Sequence, residues 1–138
     1  MACEFRLTRE LDPADVLRLY AGPGWWEPGD DPGTIPKLLA GSFRVAAAFD
    51  GGRLVGMARA ISDGASDAYI QDVVVEPEHR GQGIGSELVR MLVRELRAAG
   101  VSWIGLVGAP DTEQFYRKLG FAPLEKHIPM RHTGEEEA

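Results

Sequence analysis

Residues 69–90 have the sequence YIQDVVVEPEHRGQGIGSELVR, in which an apolar run precedes a glycine-rich turn and a segment of helical periodicity. The run Tyr69–Val75 predicts a strand, and the segment that begins near Gly83 predicts a helix with a broad apolar face. The turn between them, Arg80–Ser86, carries three alternating glycines. Glycines let the backbone approach an anion closely, and a helix start offers unpaired amide donors and the positive end of the helix dipole. The unit therefore predicts a binding site for a phosphorylated ligand.

Three phosphate-binding patterns share features with this turn. A dinucleotide fingerprint, GxGxxG, would need a glycine where the chain has Ser86. A nucleotide-triphosphate P-loop would need a lysine followed by Ser or Thr, which the turn lacks. The third pattern has meander strands first, then a strand, RGxGxG, a helix, a strand, and a helix with a Phe-Tyr pair before Gly-Phe. The chain follows this third order.

The chain resembles the GNAT N-acetyltransferases in two motifs. The first is VVVEP at 73–77 followed by RGQGIG at 80–85, and the second is FYRKLGF at 115–121. The resemblance spans most of residues 43–121 and implies an α/β fold, a mixed, mostly antiparallel sheet of about six to seven strands flanked by about four helices. It also implies a splay between the strands Tyr69–Val75 and Val101–Val107, with the pantetheine arm of acetyl-CoA in the gap.

The resemblance assigns one set of residues to acetyl-CoA. Backbone groups at positions 73 and 75 would pair with pantetheine, and the amides from Gln82 to Ser86 would bind the pyrophosphate. Arg80 would add a charge-assisted contact, and His79 is expected to assist with the anion. The residues expected to contact the cofactor are Val73, Val74, Val75, Arg80, Gly81, Gln82, Gly83, Ile84, Gly85, Ser86, Asp111 and Phe115. No metal is expected.

Transfer to an amine would need a proton donor near the departing CoA sulfur. Tyr116 matches the tyrosine of the family's Phe-Tyr motif, and a phenol stays protonated at neutral pH. We expect Tyr116 to act as that acid or to orient the sulfur, and packing on pantetheine is its alternative role. No Ser/His/Asp or Cys/His set is evident, so we expect direct transfer without an acetyl-enzyme intermediate.

The candidates for the general base that deprotonates the amine lie on and just after the strand that precedes the turn. The run Tyr69–Ser86 is similar to that of the polyamine acetyltransferases, which have Glu-Asp where this chain has Gln71 and Asp72, and an amide cannot accept the proton. Asp72 is expected to order a water or hold a cationic amine, with a structural hydrogen bond as the alternative. Glu76, at a turn, is the second candidate and is expected to be solvated. Strict alternation would place Tyr69, Gln71, Val73 and Val75 on one face and Ile70, Asp72, Val74 and Glu76 on the other.

The chain before the hairpin is expected to shape the acceptor pocket. Trp25 and Trp26 lie in a loop rich in Gly, Pro and Asp, where ring pairs either plug the core or wall a pocket, and both readings are open. The acidic Asp30 and Asp31 would suit a small amine. With Tyr69 and Gln71, the tryptophans form the expected substrate-binding set. The acceptor would be a polyamine-like molecule, an amino-sugar or another amine; a protein amino terminus, or a non-catalytic acyl-CoA-binding module, is the alternative.

Other local patterns complete the predicted order of elements. Asp12 followed by Pro13 predicts a helix start, and Thr34 is expected to cap a second helix. The DGGR turn at 50–53 predicts a hairpin between apolar runs. The remaining predicted strands are a short one at Cys3–Thr8 and a final one that starts at Phe121 and returns near Ile128 to Arg131.

Composition limits the kinds of protein to consider. A chain of 138 residues, 44% hydrophobic and 26% charged, predicts one domain over residues 1–132, and the polar, acidic residues 133–138 predict a disordered tail. No apolar run is long enough for a membrane span and the first residues are charged, so a cytoplasmic protein is expected. The net charge of −6, without a basic stripe, argues against nucleic acid as a partner. Whether the chain forms a homodimer is left open.

Overall fold

The structure, a computed structural model, describes residues 3–137. One compact unit ends at Leu106 and a second begins at Val107. A 3₁₀ turn, Pro77–His79, precedes the glycine-rich segment. The elements in chain order are β1 Glu4–Leu7, α1 Pro13–Ala21, α2 Thr34–Gly41, β2 Arg44–Asp50, β3 Arg53–Ser62, β4 Asp67–Val75, α3 Ile84–Ala98, β5 Trp103–Gly105 and α4 Glu113–Arg117. Over the described range, none of the helices has the length and apolar character needed to cross a membrane.

The first unit is built on one mixed sheet with the strand order β1-β2-β3-β4-β5. The first four strands pair antiparallel, and β5 joins β4 in parallel. Helix α3 packs on β2, β3 and β4, whereas α1 and α2 share a separate buried cluster with these strands. The predicted class, a mostly antiparallel mixed sheet with flanking helices, is confirmed. The sheet has five strands within the described residues, so the prediction of six to seven was too high.

The end of the chain accounts for that difference. Strand β5 is shorter than the predicted Val101–Val107, because the glycine and proline at 108 and 110 turn the chain. Residues 121–131 form no strand in the region that the structure describes. Phe121 packs its ring against Tyr116, but the large apolar side chains after it are more than half exposed, so the rest of the segment has no buried face to fix a strand register; these side chains are Leu124, Ile128 and Met130.

Strand β5 pairs only with the first three residues of β4. The paired residues run from Asp67 with Trp103 to Tyr69 with Gly105. Strand β4 continues to Val75, and the described residues place no strand beside this edge after Tyr69. The predicted splay stays a prediction, because β5 ends at Gly105 while it is still paired; the edge of β4 beyond Tyr69 has no neighbouring strand among the described residues.

Local sequence signals explain most element ends. Asp12 caps α1, and its Oδ1 accepts a hydrogen bond from the Ala14 amide at 3.0 Å. The two glycines of the β2–β3 turn have φ of 57° and 85°, which this tight hairpin requires. The predicted cap of α2 was one residue late. Thr34 is already helical, and Asp31 Oδ1 accepts from the amide of Gly33 at 2.9 Å.

A β-bulge interrupts β4 at Asp72. Met57 pairs with Val74 but Arg59 pairs with Gln71, so two residues of β4 face one of β3. Asp72 has a φ of 55°, in the left-handed region that aspartate tolerates better than most residues. The strict alternation predicted for this strand is therefore wrong beyond Gln71.

The bulge redirects the second half of β4. Met57 and Ala60 are three apart on β3, so they point to opposite faces. Their partners Val74 and Ile70 must do the same, although they are four apart. Val74 belongs to the buried cluster with α1 and α2. Strict alternation would instead place Val74 on the same face as Ile70, away from that cluster. The extra residue therefore reverses the face of the sheet on which each later side chain of β4 lies.

Two side chains stabilise the bulge by contacting the same carboxylate oxygen of Asp72. Arg59 Nε lies 2.6 Å from Asp72 Oδ2, and the Tyr20 hydroxyl donates to the same atom at 2.8 Å. The Arg59 and Asp72 side chains are 13% and 24% exposed. Tyr20 is on α1 and Arg59 on β3, so the bulge is tied to a helix and to its neighbouring strand.

Asp72→Asn should destabilise the fold by about 3 kcal/mol, because it leaves a largely buried guanidinium without its charge partner. Asparagine tolerates the positive φ, so the loss would report the ion pair and not backbone strain. Urea unfolding of Asp72→Asn, Arg59→Met and the double variant should give a coupling energy of about 1–3 kcal/mol. The more exposed pair Arg44–Glu95 is the matched control and should give less than about 1 kcal/mol. Additive losses at Asp72 and Arg59 would contradict this account.

Gly56→Ala should destabilise the first unit by about 1–3 kcal/mol through overpacking. A Cβ there would lie 3.2 Å from Ile84 and 3.3 Å from Leu88, where α3 packs closely on β3. Gly41→Ala is the control, because nothing lies within 4 Å of its Cβ position at the end of α2. Equal free energies of unfolding for the two variants would show that α3 does not need this close approach.

Candidate functional site

The glycine-rich turn keeps its backbone amides available. Gly81 and Gly83 have φ of 77° and 81°, and a Cβ at either would meet no atom within 4 Å, so conformation and not crowding requires glycine. The Glu87 amide donates to the Gly83 carbonyl at 3.1 Å. Among the described residues, the amides of Gln82–Ser86 have no acceptor. They lie at the positive end of a 15-residue helix, so the turn fits a diphosphate group.

The other predicted cofactor residues of the first unit surround this turn in sequence. Arg80 is exposed, and its Nε donates to the Val75 carbonyl at 3.2 Å. Val73 is half-buried, whereas the side chains of Val74 and Ile84 are core. Any contact of these last two with a ligand would have to come from the backbone.

A cavity of about 340 Å³ opens beside the bulge. It brings both loop tryptophans together with Asp72, although 46 residues of chain separate Trp26 from that aspartate. Two further acids of the loop lie on the same wall. The lining residues are Tyr20, Trp25, Trp26, Asp30, Asp31, Thr34, Ile35, Leu38 and Asp72.

The two tryptophans have different surroundings. Trp25 is 46% exposed, and its ring meets that of Tyr20 edge to face with 5.4 Å between centroids. Trp26 packs against the buried cluster under α1 and α2, and its indole Nε1 is buried without a hydrogen-bond partner in the described structure. The sequence left open whether these tryptophans line a pocket or pack in the core. Trp25 lines the cavity, whereas Trp26 both lines the cavity and packs on the core.

Arg59 partly compensates the charge of the Asp72 carboxylate in this cavity. The contacts of Arg59 and Tyr20 both fall on Oδ2, and the described residues offer no partner to Oδ1. Burial raises the pKa of the Tyr20 phenol well above its usual value, and the adjacent Asp72 carboxylate raises it further. Tyr20 therefore stays protonated as a donor, and one carboxylate oxygen of Asp72 stays open.

Sequence reasoning missed Tyr20 and Arg59. Arg59 carried a usable signal, since it is a lone charge within the apolar strand sequence VGMARAI. Tyr20 carried less, because a tyrosine in the apolar stripe of a helix is ordinary core. Its partner Asp72 lies 52 residues later in the chain.

Glu76 is not the solvated side chain that was expected. It is 9% exposed and forms ion pairs with Arg18 and with Arg53, the latter at 2.8 Å. His79 also departs from its predicted role with the anion, because its Nε2 lies 2.9 Å from Asp50 Oδ2 and its Nδ1 lies 3.5 Å from Glu76. With Nε2 hydrogen-bonded to Asp50 and Nδ1 buried beside Glu76, the ring is not presented to a phosphate.

The remaining predicted acceptor residues lie apart from the cavity lining. Tyr69 is 45% exposed, and its ring packs on Trp103 with 5.3 Å between centroids. Gln71 is exposed on β4 just before the bulge. The structure thus brings Asp72 to the tryptophans but leaves Tyr69 and Gln71 outside that lining.

The second unit contains the Phe-Tyr motif. Tyr116 lies on α4 between the rings of Phe115 and Phe121, with centroids 4.9 and 5.9 Å away. Burial raises the pKa of the Tyr116 phenol, so it remains a proton donor at neutral pH. Asp111 is exposed just before the helix, with a φ of 66°.

Known proteins resemble the chain in sequence and in fold. An uncharacterized N-acetyltransferase of Porphyra purpurea is 49% identical over 69 residues, which are 50% of this chain and 40% of that protein. The chloroplastic serotonin N-acetyltransferase 2 of Oryza sativa subsp. japonica is 47% identical over 77 residues, 56% of this chain and 38% of that protein. These matches therefore span less than half of either relative.

The structural and family comparisons cover far more of the chain. A GNAT-family acetyltransferase from Streptococcus pneumoniae has a TM-score of 0.84 and 27% identity, with 98% of this chain and 100% of that chain covered. The model of the acetyltransferase (GNAT) family matches residues 14–121, a range that contains both the glycine-rich turn and the Phe-Tyr motif. The chain is a member of the GNAT acetyltransferase family.

Proposed function

We propose that this chain transfers an acetyl group from acetyl-CoA directly to the primary amine of a small molecule. The observation that carries the proposal is the cavity in which one open carboxylate oxygen, two tryptophans and two further acids meet. It lies beside the strand that leads into an anion-binding turn. Family membership supplies the reaction class, and the cavity supports the choice of acceptor.

The acceptor must lose a proton before it can attack. An alkyl amine with a pKa of about 10.4 is protonated at pH 7, and its neutral form costs roughly 4.6 kcal/mol to reach. Asp72 Oδ1 first holds the ammonium group and then, directly or through a water, receives that proton. The neutral nitrogen attacks the thioester carbonyl, and the tetrahedral adduct loses one further N–H proton to water. The carbon–sulfur bond then breaks, which gives the amide and the CoA thiolate.

The thiolate that leaves is protonated by Tyr116. Its raised pKa keeps the phenol protonated, and the family motif supports its place near the sulfur. The phenolate then recovers its proton from water. The pyrophosphate of CoA accepts hydrogen bonds from the amides of Gln82–Ser86, with Arg80 as the charge-assisted contact.

The cavity favours a compact acceptor. Its volume of about 340 Å³ is near the small end of ligand pockets, and its walls combine aromatic rings with acids. Such walls suit a cation that carries an apolar or aromatic body. The rice relative's name includes serotonin, a small amine, which is in keeping with this choice. A protein amino terminus is the alternative acceptor.

Gly83→Asp should abolish measurable CoA binding in calorimetry, because it places a carboxylate among the amides and strains a φ of 81°. Gly100→Asp is a matched control at the other end of α3, with a φ of 89° and similarly open space. The control should bind CoA like the unsubstituted chain. If both variants bind CoA equally well, the turn is not the pyrophosphate site.

Tyr116→Phe should lower kcat by about 10²–10⁴-fold and leave the KM for acetyl-CoA within about twofold. The assay is thiol release from acetyl-CoA with a panel of polyamines, amino-sugars, aromatic alkylamines and peptide amino termini. Unchanged kcat in the variant would remove Tyr116 from the mechanism. Turnover with peptides alone would replace the small-amine proposal, and CoA binding without any turnover would favour a binding module.

A further inference from the structure

An ionic cluster lies immediately before the glycine-rich turn. Glu76 is the first residue after β4, is 9% exposed, and pairs with Arg18 from α1 and Arg53 from the start of β3. His79 lies against the same carboxylate at 3.5 Å and contacts Asp50, the last residue of β2, at 2.9 Å. We name these five residues the Glu76 clamp.

The clamp ties one short segment to three separate elements. The Glu76 amide also donates to the Val55 carbonyl at 2.8 Å, and Arg18 also donates to the Leu54 carbonyl at 3.0 Å. Main chain and side chain therefore fix the position of Glu76 relative to α1 and β3. The His79 contact fixes the end of the 3₁₀ turn, only two residues before Gly81.

Stability alone explains such a cluster poorly. Buried ion pairs return little net free energy, since desolvation offsets much of their attraction. Their geometric effect is larger, because each pair defines where the backbone on either side must lie. The segment that follows has two glycines in left-handed conformations and would be mobile if only α3 held it.

The clamp also compensates the charge of Glu76. An unpaired Glu76 carboxylate, five residues before Gly81, would repel a phosphorylated ligand at the turn. Two guanidinium groups compensate it. The ligand atoms of Glu76, Glu78 and His79 lie within 4.8 Å of one another, but those guanidinium groups already occupy the carboxylate that a cation would need.

We propose that the Glu76 clamp positions the turn for the pyrophosphate of CoA, so that Glu76 is a positioning residue and not a base. This inference rests on the proposed function. A preorganised turn binds without a cost for ordering its amides at the moment of binding. Loss of the clamp should therefore weaken the diphosphate contacts and spare those to the pantetheine arm.

The test compares two probes, CoA and pantetheine, which lacks the pyrophosphate. Glu76→Gln should raise the Kd for CoA about tenfold and leave the affinity for pantetheine, read by competition or as the KM of acetyl-pantetheine, within about twofold. Arg53→Gln should give a smaller change in the same direction, and it serves if Glu76→Gln does not fold, since Arg53 is 57% exposed. Glu95→Gln, which breaks the Arg44–Glu95 pair elsewhere, is the control and should change neither probe.

Amide hydrogen exchange supplies a readout that needs no ligand. Exchange at Gly81–Ser86 should quicken in the clamp variants and not in Glu95→Gln. Equal losses for both probes would mean general loosening and would overturn the proposal, as would unchanged CoA affinity with unchanged exchange in folded variants. If the unsubstituted chain binds no CoA, the proposed function itself fails; if it does bind and the clamp variants match it, only the clamp fails.

Discussion

The bulge at Asp72 is the constraint on which the first unit depends. It changes the face of every later residue in β4, and so it delivers Val74 to the core with α1 and α2. The carboxylate of the same left-handed residue contacts Tyr20 of α1 and Arg59 of β3 through one of its oxygens. A regular strand would leave Val74 on the wrong face, so core packing and the acidic wall of the cavity have one common cause.

The sequence was sufficient where a signal is local. The strand, the glycine turn and α3 follow from apolar periodicity and from the φ that only glycine adopts readily. The cap by Asp12 and the hairpin turn are equally local. The fold class followed from the order of these signals and from two motifs, and the family comparison agrees with it.

The remaining features depend on contacts distant in the chain. Alternation assumes one residue per rung, so it could not reveal the bulge, and it misplaced the second half of β4. The partner of Glu76 on α1 is 58 residues away, and only the packing of α1 against β3 and β4 makes the pairing possible. The predicted final strand is absent for a related reason: a segment of strand-like composition needs an available edge and an apolar face to bury, and the large apolar side chains after Phe121 are exposed.

The carboxylates of Asp72 and Glu76 differ in how many arginines compensate their charge. This difference suits the proposed reaction between an anionic donor and a cationic acceptor. Two arginines compensate Glu76, next to the turn that fits a diphosphate. One arginine compensates Asp72, and it does so through Oδ2 alone. With Asp30 and Asp31 on the same cavity, the wall around Asp72 has more carboxylates than arginines. Strand β3 supplies one arginine to each carboxylate, Arg53 to Glu76 and Arg59 to Asp72. The second arginine at Glu76, Arg18 of α1, therefore makes the difference between the proposed phosphate site and the proposed amine site.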